Sequence, residues 1–175
     1  MSWTDGQGQG ILRTVSLAAW YALARLTHFI GFAMAAGGSF AAFRAHAAAR
    51  RESAPEKAGW EGAAAEIVTK VELPGLFLAL FAGIALVAMN PAQLSPAKSG
   101  AGPWLHLKLT LVLVLLVVSH LRMFRSRKLA RERSQGVAEV DCDALLGRAQ
   151  KLARIDLALF ATVFFVAIFR YVLFT

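Results

Sequence analysis

Four histidines are the residues of this chain whose type and spacing could do chemistry. His106 stands in the motif Trp-Leu-His-Leu-Lys that begins at residue 104, and His120 closes the apolar run that follows it. The two are 14 residues apart, so on a helix that rises about 1.5 Å per residue they lie roughly 21 Å apart and share one face. Because ionisable groups inside a membrane are expensive, an imidazole at each end of such a helix indicates a functional site.

A second pair of histidines lies in the first apolar stretch. His28 and His46 are 18 residues apart, which is five helical turns or about 27 Å and returns the side chain to nearly the same direction. We therefore expect all four histidines to face one interface. An axial nitrogen beside a wall of small side chains suits a flat macrocycle roughly 10 Å across, so this face predicts a haem site. The positions between the two imidazoles are Gly31, Ala35, Gly38 and Ala42.

Apolar helices must position these side chains. The chain has 175 residues, of which 57% are hydrophobic, and a positive mean hydropathy. This composition predicts one membrane domain over residues 1–175, with the fold class of an all-α integral-membrane four-helix bundle. Gly75, Ala79 and Gly83 repeat every four residues and predict close packing of the second helix. The predicted helices cover approximately residues 17–45, 67–90, 103–126 and 152–174.

The formal net charge of +8 indicates membrane topology and not nucleic-acid binding. Five Lys and Arg residues lie between the first two spans, nine lie between the last two, and the rest of the chain holds five. Membrane proteins concentrate Lys and Arg on their cytoplasmic loops. The two basic loops therefore predict a multi-pass protein of the inner (cytoplasmic) membrane with both termini outside. Membrane lipid is the expected surrounding, and a homo-oligomer or a larger membrane complex is left open.

Cations accompany the two histidines that this topology places near the outer surface. Arg25 precedes His28 by three residues, and Lys108 follows His106 by two. A guanidinium or an ammonium at this level could bind ligand carboxylates such as porphyrin propionates. Arg170 in the last helix returns to the same level.

Other polar groups near the inner surface receive structural interpretations. Glu72 and Asp156 lie at the inner ends of their helices, where pairing with loop arginines is expected. Cys142 lies between two aspartates in a polar stretch, so we expect a solvated loop thiol that forms no intramolecular disulfide. His46, at the end of its span, favours a structural role, whereas His120 is open to either.

Three segments resemble the HemJ family of membrane protoporphyrinogen oxidases. They are the Ala-Arg-Leu-Thr-His run that ends at His28, the Leu-Pro-Gly run that opens the second span, and residues 104–108. The resemblance implies a haem b protein that oxidises protoporphyrinogen IX to protoporphyrin IX and passes electrons toward a quinone or the respiratory chain. It implies haem ligation by His28 beside Arg25, with His106 and Lys108 as the third-helix pair. The last helix lacks the family's Asn-Glu-x-Pro and Lys-Pro patterns.

The sequence therefore predicts a haem b-binding membrane redox protein of this type. His28 is the predicted ligand, and His106 is either the second ligand of the metal or a base that faces the substrate. Arg25 and Lys108 complete the predicted catalytic set with His106.

Three alternatives stay open. A two-haem electron-transfer subunit would pair His28 with His106 and use His46 and His120 as further cofactor-binding residues. A copper-handling protein of the CopD kind would also carry histidines in four helices, although copper(I) favours clustered Met and Cys. A structural subunit without a cofactor would use the histidines as hydrogen-bond partners between helices.

Overall fold

The described part of the chain is helical apart from short connections. The computed structural model describes residues 5–90, 102–136 and 139–169. Its elements in chain order are α1 (Asp5–Ala49), α2 (Ala54–Ile67), a π-helical turn (Val68–Glu72), α3 (Leu73–Met89), α4 (Gly102–Ser134) and α5 (Glu139–Ile168). Since α2, the turn and α3 follow one another without a break, the described residues form four long helical segments, as the sequence predicted.

Three helical stretches are long and apolar enough to cross a membrane: Leu17–Ala49, Glu56–Met89 and Leu105–Ser134. Helices that are apolar on their outward faces as well are typical of membrane spans. The predicted fourth span runs to residue 174, and its last part, including Arg170, lies outside the described residues. Large apolar side chains that are more than half exposed include Trp20, Phe29, Phe81 and Phe124.

Pro74 gives a physical reason for the π-helical turn before α3. Proline has no backbone N–H, and its ring clashes with the carbonyl four residues earlier in a regular α-helix. The wider turn at Val68–Glu72 accommodates the proline, and the flanking residue Leu73 keeps α-helical dihedral angles of −63° and −47°. The helix therefore passes the proline without a break.

α1 is the centre of the bundle and packs along α3 at backbone contact distance. A Cβ atom at Gly31 would lie 2.5 Å from the backbone nitrogen of Ala79, and one at Gly75 would lie 2.7 Å from the nitrogen of Ala35. Small residues let two helices approach this closely, which confirms the packing role predicted for Gly75 and Ala79. α4 packs mainly on α5 and contacts α3 only slightly.

The helices extend beyond the predicted spans at the basic end of the bundle. α4 continues past residue 126, and α5 begins well before residue 152. These extensions and α2 are rich in residues of high helix propensity, and ion pairs join them. Arg133 donates two hydrogen bonds of 3.0 Å to Glu61, and Lys57 donates one of 2.8 Å to Asp143. The bond from Lys57 holds the pKa of the Asp143 carboxyl below its ordinary value.

The prediction that Cys142 is a solvated loop thiol is wrong. Cys142 lies within α5 and is fully buried, where it packs with Ala49 of α1, Leu129 of α4 and Leu146. The polar stretch around it is helical, so the two neighbouring aspartates face outward while the thiol faces inward. Burial raises the pKa of the Cys142 thiol, which keeps it neutral and poorly reactive.

Gly31→Ala tests the close approach of α1 and α3. The added Cβ would meet backbone atoms of α3, which cannot move aside as a side chain can, and we expect the free energy of unfolding to fall by about 1–3 kcal/mol. Gly37→Ala is the matched control, since a Cβ there has no atom within 4 Å. The free energy of unfolding of both variants is measured by SDS unfolding in mixed micelles. Equal unfolding midpoints would contradict the close packing of α1 and α3.

Candidate functional site

A backbone carbonyl on the neighbouring helix fixes the orientation of His28. The Nδ1 atom of His28 lies 2.7 Å from the carbonyl oxygen of Ala79, and the imidazole must donate because a carbonyl only accepts. With the proton on Nδ1, the Nε2 atom carries a lone pair that can bind a metal. Gly83 makes room for the ring, since a Cβ there would lie 3.3 Å from Cε1 of His28.

His28 is half-buried and lines an apolar cavity of about 330 Å³ among α1, α3, α4 and α5. This volume is at the lower end of the range of about 300–1,000 Å³ that is typical of small-molecule sites. The cavity therefore combines one imidazole and one ammonium, that of Lys108, with an otherwise apolar wall. The apolar wall includes Phe32, Leu76, Leu105, Leu115 and Val163.

The structure brings Lys108 to the cavity of His28 but does not bring His106 there. His106 is exposed and is not among the residues that line the cavity. Arg25 is also exposed, one turn before His28 on α1, and it does not line the cavity either. Of the residues predicted at the outer level, His28 and Lys108 share a site.

The two inner histidines have different surroundings, so the four histidines do not face one interface as the sequence predicted. His46 is fully buried, and its Nε2 lies 3.3 Å from the Oγ of Ser126. His120 is half-buried, and its Nδ1 donates a 3.0 Å hydrogen bond to the Leu116 carbonyl of its own helix. The His120 ring also meets the ring of Phe77 on α3 edge to face, with 6.0 Å between the ring centroids.

A charged residue, and not a histidine, determines which face of α4 turns inward. His106 and His120 each follow a residue of the inward face by one position, which turns them about 100° away from it. Helical periodicity shows that the two histidines share one face of α4, but it does not show that this face is turned toward the centre of the bundle. The buried residues of α4 include Leu105, Leu115, Ser119, Arg122 and Ser126.

Arg122 lies at the centre of a buried ion cluster to which all four helical segments contribute. Its guanidinium pairs with Glu72 and donates to Asp156 at 2.9 Å and to the Ser39 hydroxyl at 2.8 Å. Ser39 and Ser119 donate to the two carboxylate oxygens of Asp156 at 2.6 and 2.8 Å. All five side chains are 0% exposed. Glu72 and Asp156 pair with an arginine as predicted, but Arg122 is buried within α4 and does not lie in a loop.

Sequence reasoning did not single out Arg122, because it counted this residue with the basic loop. A signal was nevertheless present in the sequence. Two carboxylates at the same depth on different helices need a cation between them, since buried charges must be paired. Ser119 lies three residues before Arg122 and therefore on the same helical face, which makes this arginine the best candidate.

The hydrogen bonding of His28 suits an imidazole that ligates a metal such as haem iron. A ligating histidine usually donates its other N–H to a carboxylate, a water or a backbone carbonyl, as His28 does to Ala79. The porphyrin itself supplies the equatorial ligands, so one or two protein ligands are sufficient. Within residues 5–90, 102–136 and 139–169, no group of three or more His, Cys, Asp or Glu side chains could hold a metal ion.

Comparison of the chain with protein-family models, curated proteins and solved structures found no match. The functional interpretation accordingly depends on the geometry of the residues and on the motifs described above. His28 with Lys108 at the cavity is the site that this geometry favours for a ligand.

Arg122→Leu tests whether the ion cluster stabilises the bundle. The change leaves Glu72 and Asp156 buried without their cation, and removing one partner of a buried pair costs about 3–5 kcal/mol. Arg127→Leu is the matched control on the same helix, because Arg127 is exposed and contacts Thr69 at 3.3 Å. We expect the control to change the free energy of unfolding by less than about 0.5 kcal/mol. Equal losses in the two variants would contradict a stabilising cluster.

Proposed function

We propose that the chain is a haem b-binding redox protein of the membrane, with His28 as the axial ligand of the haem iron. The observation that carries this proposal is the orientation of His28, whose Nδ1 donates to the Ala79 carbonyl at the wall of an apolar cavity. A hydrogen bond of this kind fixes the tautomer of a ligating imidazole and raises its basicity. Nε2 is then the ligating atom.

Lys108 is the second residue of the proposed haem site. Its ammonium lies at the cavity wall, where it is placed to pair with a propionate carboxylate of the porphyrin. Haem bound here supplies one-electron transfer between the ferric and ferrous states, with a potential that the surrounding residues tune. His28 would hold the ring through the iron, Lys108 would orient it, and the apolar wall would exclude water.

We further propose protoporphyrinogen IX as the substrate, oxidised to protoporphyrin IX. Support comes from the resemblance of the motifs around His28 and at residues 104–108 to the HemJ family. Because the haem would fill the cavity of His28 and Lys108, the substrate would bind outside this cavity. Electrons pass to a quinone or another respiratory-chain acceptor in the membrane.

His28→Ala tests haem ligation in the protein purified in mild detergent. We expect the wild type to carry haem b, seen as a Soret band and as a pyridine haemochrome, and His28→Ala to lose most of it because its only assigned ligand is gone. His120→Ala is the matched control, since the Nδ1 of His120 bonds to its own helix and its ring packs on Phe77. We expect this control to keep the full haem content.

Other results of the same measurement would favour the alternatives. A Soret band that is unchanged in His28→Ala would contradict the proposed ligand. Loss of about half of the haem in both His28→Ala and His46→Ala would favour the two-haem subunit, and bound copper without haem would favour the CopD kind. Protoporphyrin fluorescence formed from protoporphyrinogen by the wild type, and lost together with the haem in His28→Ala, would support the oxidase activity.

We propose that the chain crosses the cytoplasmic membrane several times, with both termini outside. Support comes from the three apolar helical stretches and from the basic residues, which lie mostly at the end of the bundle where α1 meets α2 and α4 meets α5. Positive charge of this kind is concentrated on the cytoplasmic side of membrane proteins.

Single cysteines introduced in a Cys142→Ser background test the orientation. Ser53 and Asn90 are both exposed, and they lie at opposite ends of the continuous segment formed by α2, the π-helical turn and α3. We expect a membrane-impermeant maleimide to label Asn90→Cys in sealed right-side-out vesicles and Ser53→Cys only after the vesicles are opened. Labelling of Ser53→Cys in sealed vesicles would reverse the proposed orientation.

A further inference from the structure

The ion cluster around Arg122 contains one more acid than base. Arg122, Glu72 and Asp156 are each 0% exposed, so one guanidinium and two carboxyl groups are held away from solvent. With both carboxyls ionised, the cluster would bury one uncompensated negative charge, which is strongly unfavourable in a protein interior. A proton on one of the carboxyls removes this charge.

No second cation among the described residues balances the extra acid. The side chain of His46 bonds to the neutral Ser126 hydroxyl at 3.3 Å and forms no ion pair with either carboxyl among the described residues. Lys70, on the segment that carries Glu72, is exposed and pairs with Glu66 at 3.3 Å. The charged groups of the cluster beside Glu72 are therefore Arg122 of α4 and Asp156 of α5, and His46 of α1 lies near Arg122.

The hydrogen bonds indicate which carboxyl holds the proton. Asp156 accepts hydrogen bonds from Ser39, Ser119 and Arg122 at 2.6 to 2.9 Å, so both of its oxygens already act as acceptors. Glu72 pairs with Arg122, and its Oε1 has no hydrogen-bond partner among the described residues. We propose that the cluster is an intramembrane proton-binding site, and that Glu72 is the carboxyl that takes up and releases the proton.

The backbone holds Glu72 at a fixed depth. Glu72 ends the π-helical turn Val68–Glu72, and turns of this kind inside helices are frequent at functional sites. α1 lies against the backbone at this point, because a Cβ at Gly38 would be 3.0 Å from the Glu72 nitrogen and 3.1 Å from its Cα. The backbone that carries the Glu72 carboxyl is therefore held against α1.

His46 and Ser126 provide a connection from the cluster to the basic end of the bundle. His46 lies about two helical turns, or about 10 Å, beyond the serine that α1 contributes to the cluster, and its Nε2 is 3.3 Å from the Oγ of Ser126. The Nδ1 of His46 is buried and has no hydrogen-bond partner among the described residues. An imidazole can both accept and donate a proton, and the route that we propose for the Glu72 proton passes through His46.

Infrared spectroscopy of the purified full chain tests the proton site, and the test does not depend on haem. At neutral pH we expect the carbonyl stretch of a protonated carboxyl, shifted in D₂O. Glu72→Gln should abolish this band. Asp156→Asn should also abolish it, because the Glu72 carboxylate and Arg122 then form a neutral pair. Glu66→Gln, which changes an exposed glutamate on the same helical segment, should leave the band unchanged.

A wild-type spectrum without a protonated carboxyl at neutral pH would overturn the proposal, and this measurement needs no variant to fold. The cluster would then be an ion network with a structural role alone. Since loss of either carboxyl abolishes the band, ¹³C labelling of glutamate or of aspartate tests the assignment: we expect labelled glutamate to shift the band to lower frequency, and a shift with labelled aspartate alone would overturn the assignment to Glu72. Loss of the band when sodium ions are added would also overturn the proposal, because a metal cation would then provide the missing positive charge.

The rate at which the Glu72 band shifts in D₂O tests the route through His46. We expect His46→Leu to slow the exchange by about a hundredfold, the lower end of what one positioned proton-transfer group contributes. His120→Leu is the matched control, since His120 is half-buried and bonds to its own helix, outside the cluster. The exchange rate of the band in His120→Leu should equal that of the wild type. Equal rates in His46→Leu and the wild type would overturn the route.

Discussion

The pairing of Arg122 with two buried carboxylates is the constraint on which the arrangement of the helices depends. Glu72 and Asp156 come from different helical segments and are both removed from solvent, so a cation has to lie between them. That requirement fixes the rotation of α4 about its own axis. Once Arg122 faces inward, Ser119 and Lys108 face inward as well, and the histidines of α4 turn away from the centre.

The cavity at His28 follows from unequal distances between the helices. α1 and α3 approach to backbone contact at Gly31, whereas α3 and α4 scarcely touch. The carbonyl of Ala79 is also the helical acceptor for the amide of Gly83, and the missing side chain at Gly83 lets the His28 ring approach as a second donor. Shared acceptors of this type are common in helices. The small residues Gly75, Ala79 and Gly83 of α3 thus have two roles: they pack against α1, and they orient the imidazole of His28.

Hydropathy and charge were sufficient to predict the four helical segments and the pairing of Glu72 and Asp156 with an arginine. They were not sufficient to place His106, because a helical period states which residues share a face and not which face is inside. The burial of Cys142 was missed for a different reason. Segments rich in Ala, Glu, Lys and Arg resemble solvated loops in composition, but they become helices when ion pairs such as Arg133 with Glu61 attach them to a neighbour.

The two proposed sites are close enough to influence each other. Ala79, which orients His28, and Glu72 are seven residues apart on one continuous helix, which is about 10 Å along its axis. At an effective dielectric constant of about 20, two unit charges at about this distance interact by roughly 1.7 kcal/mol. Charged groups bound at the two sites would therefore influence each other. The proposed oxidation of a porphyrinogen would release protons together with electrons, and this spacing would allow the two proposed sites to act together.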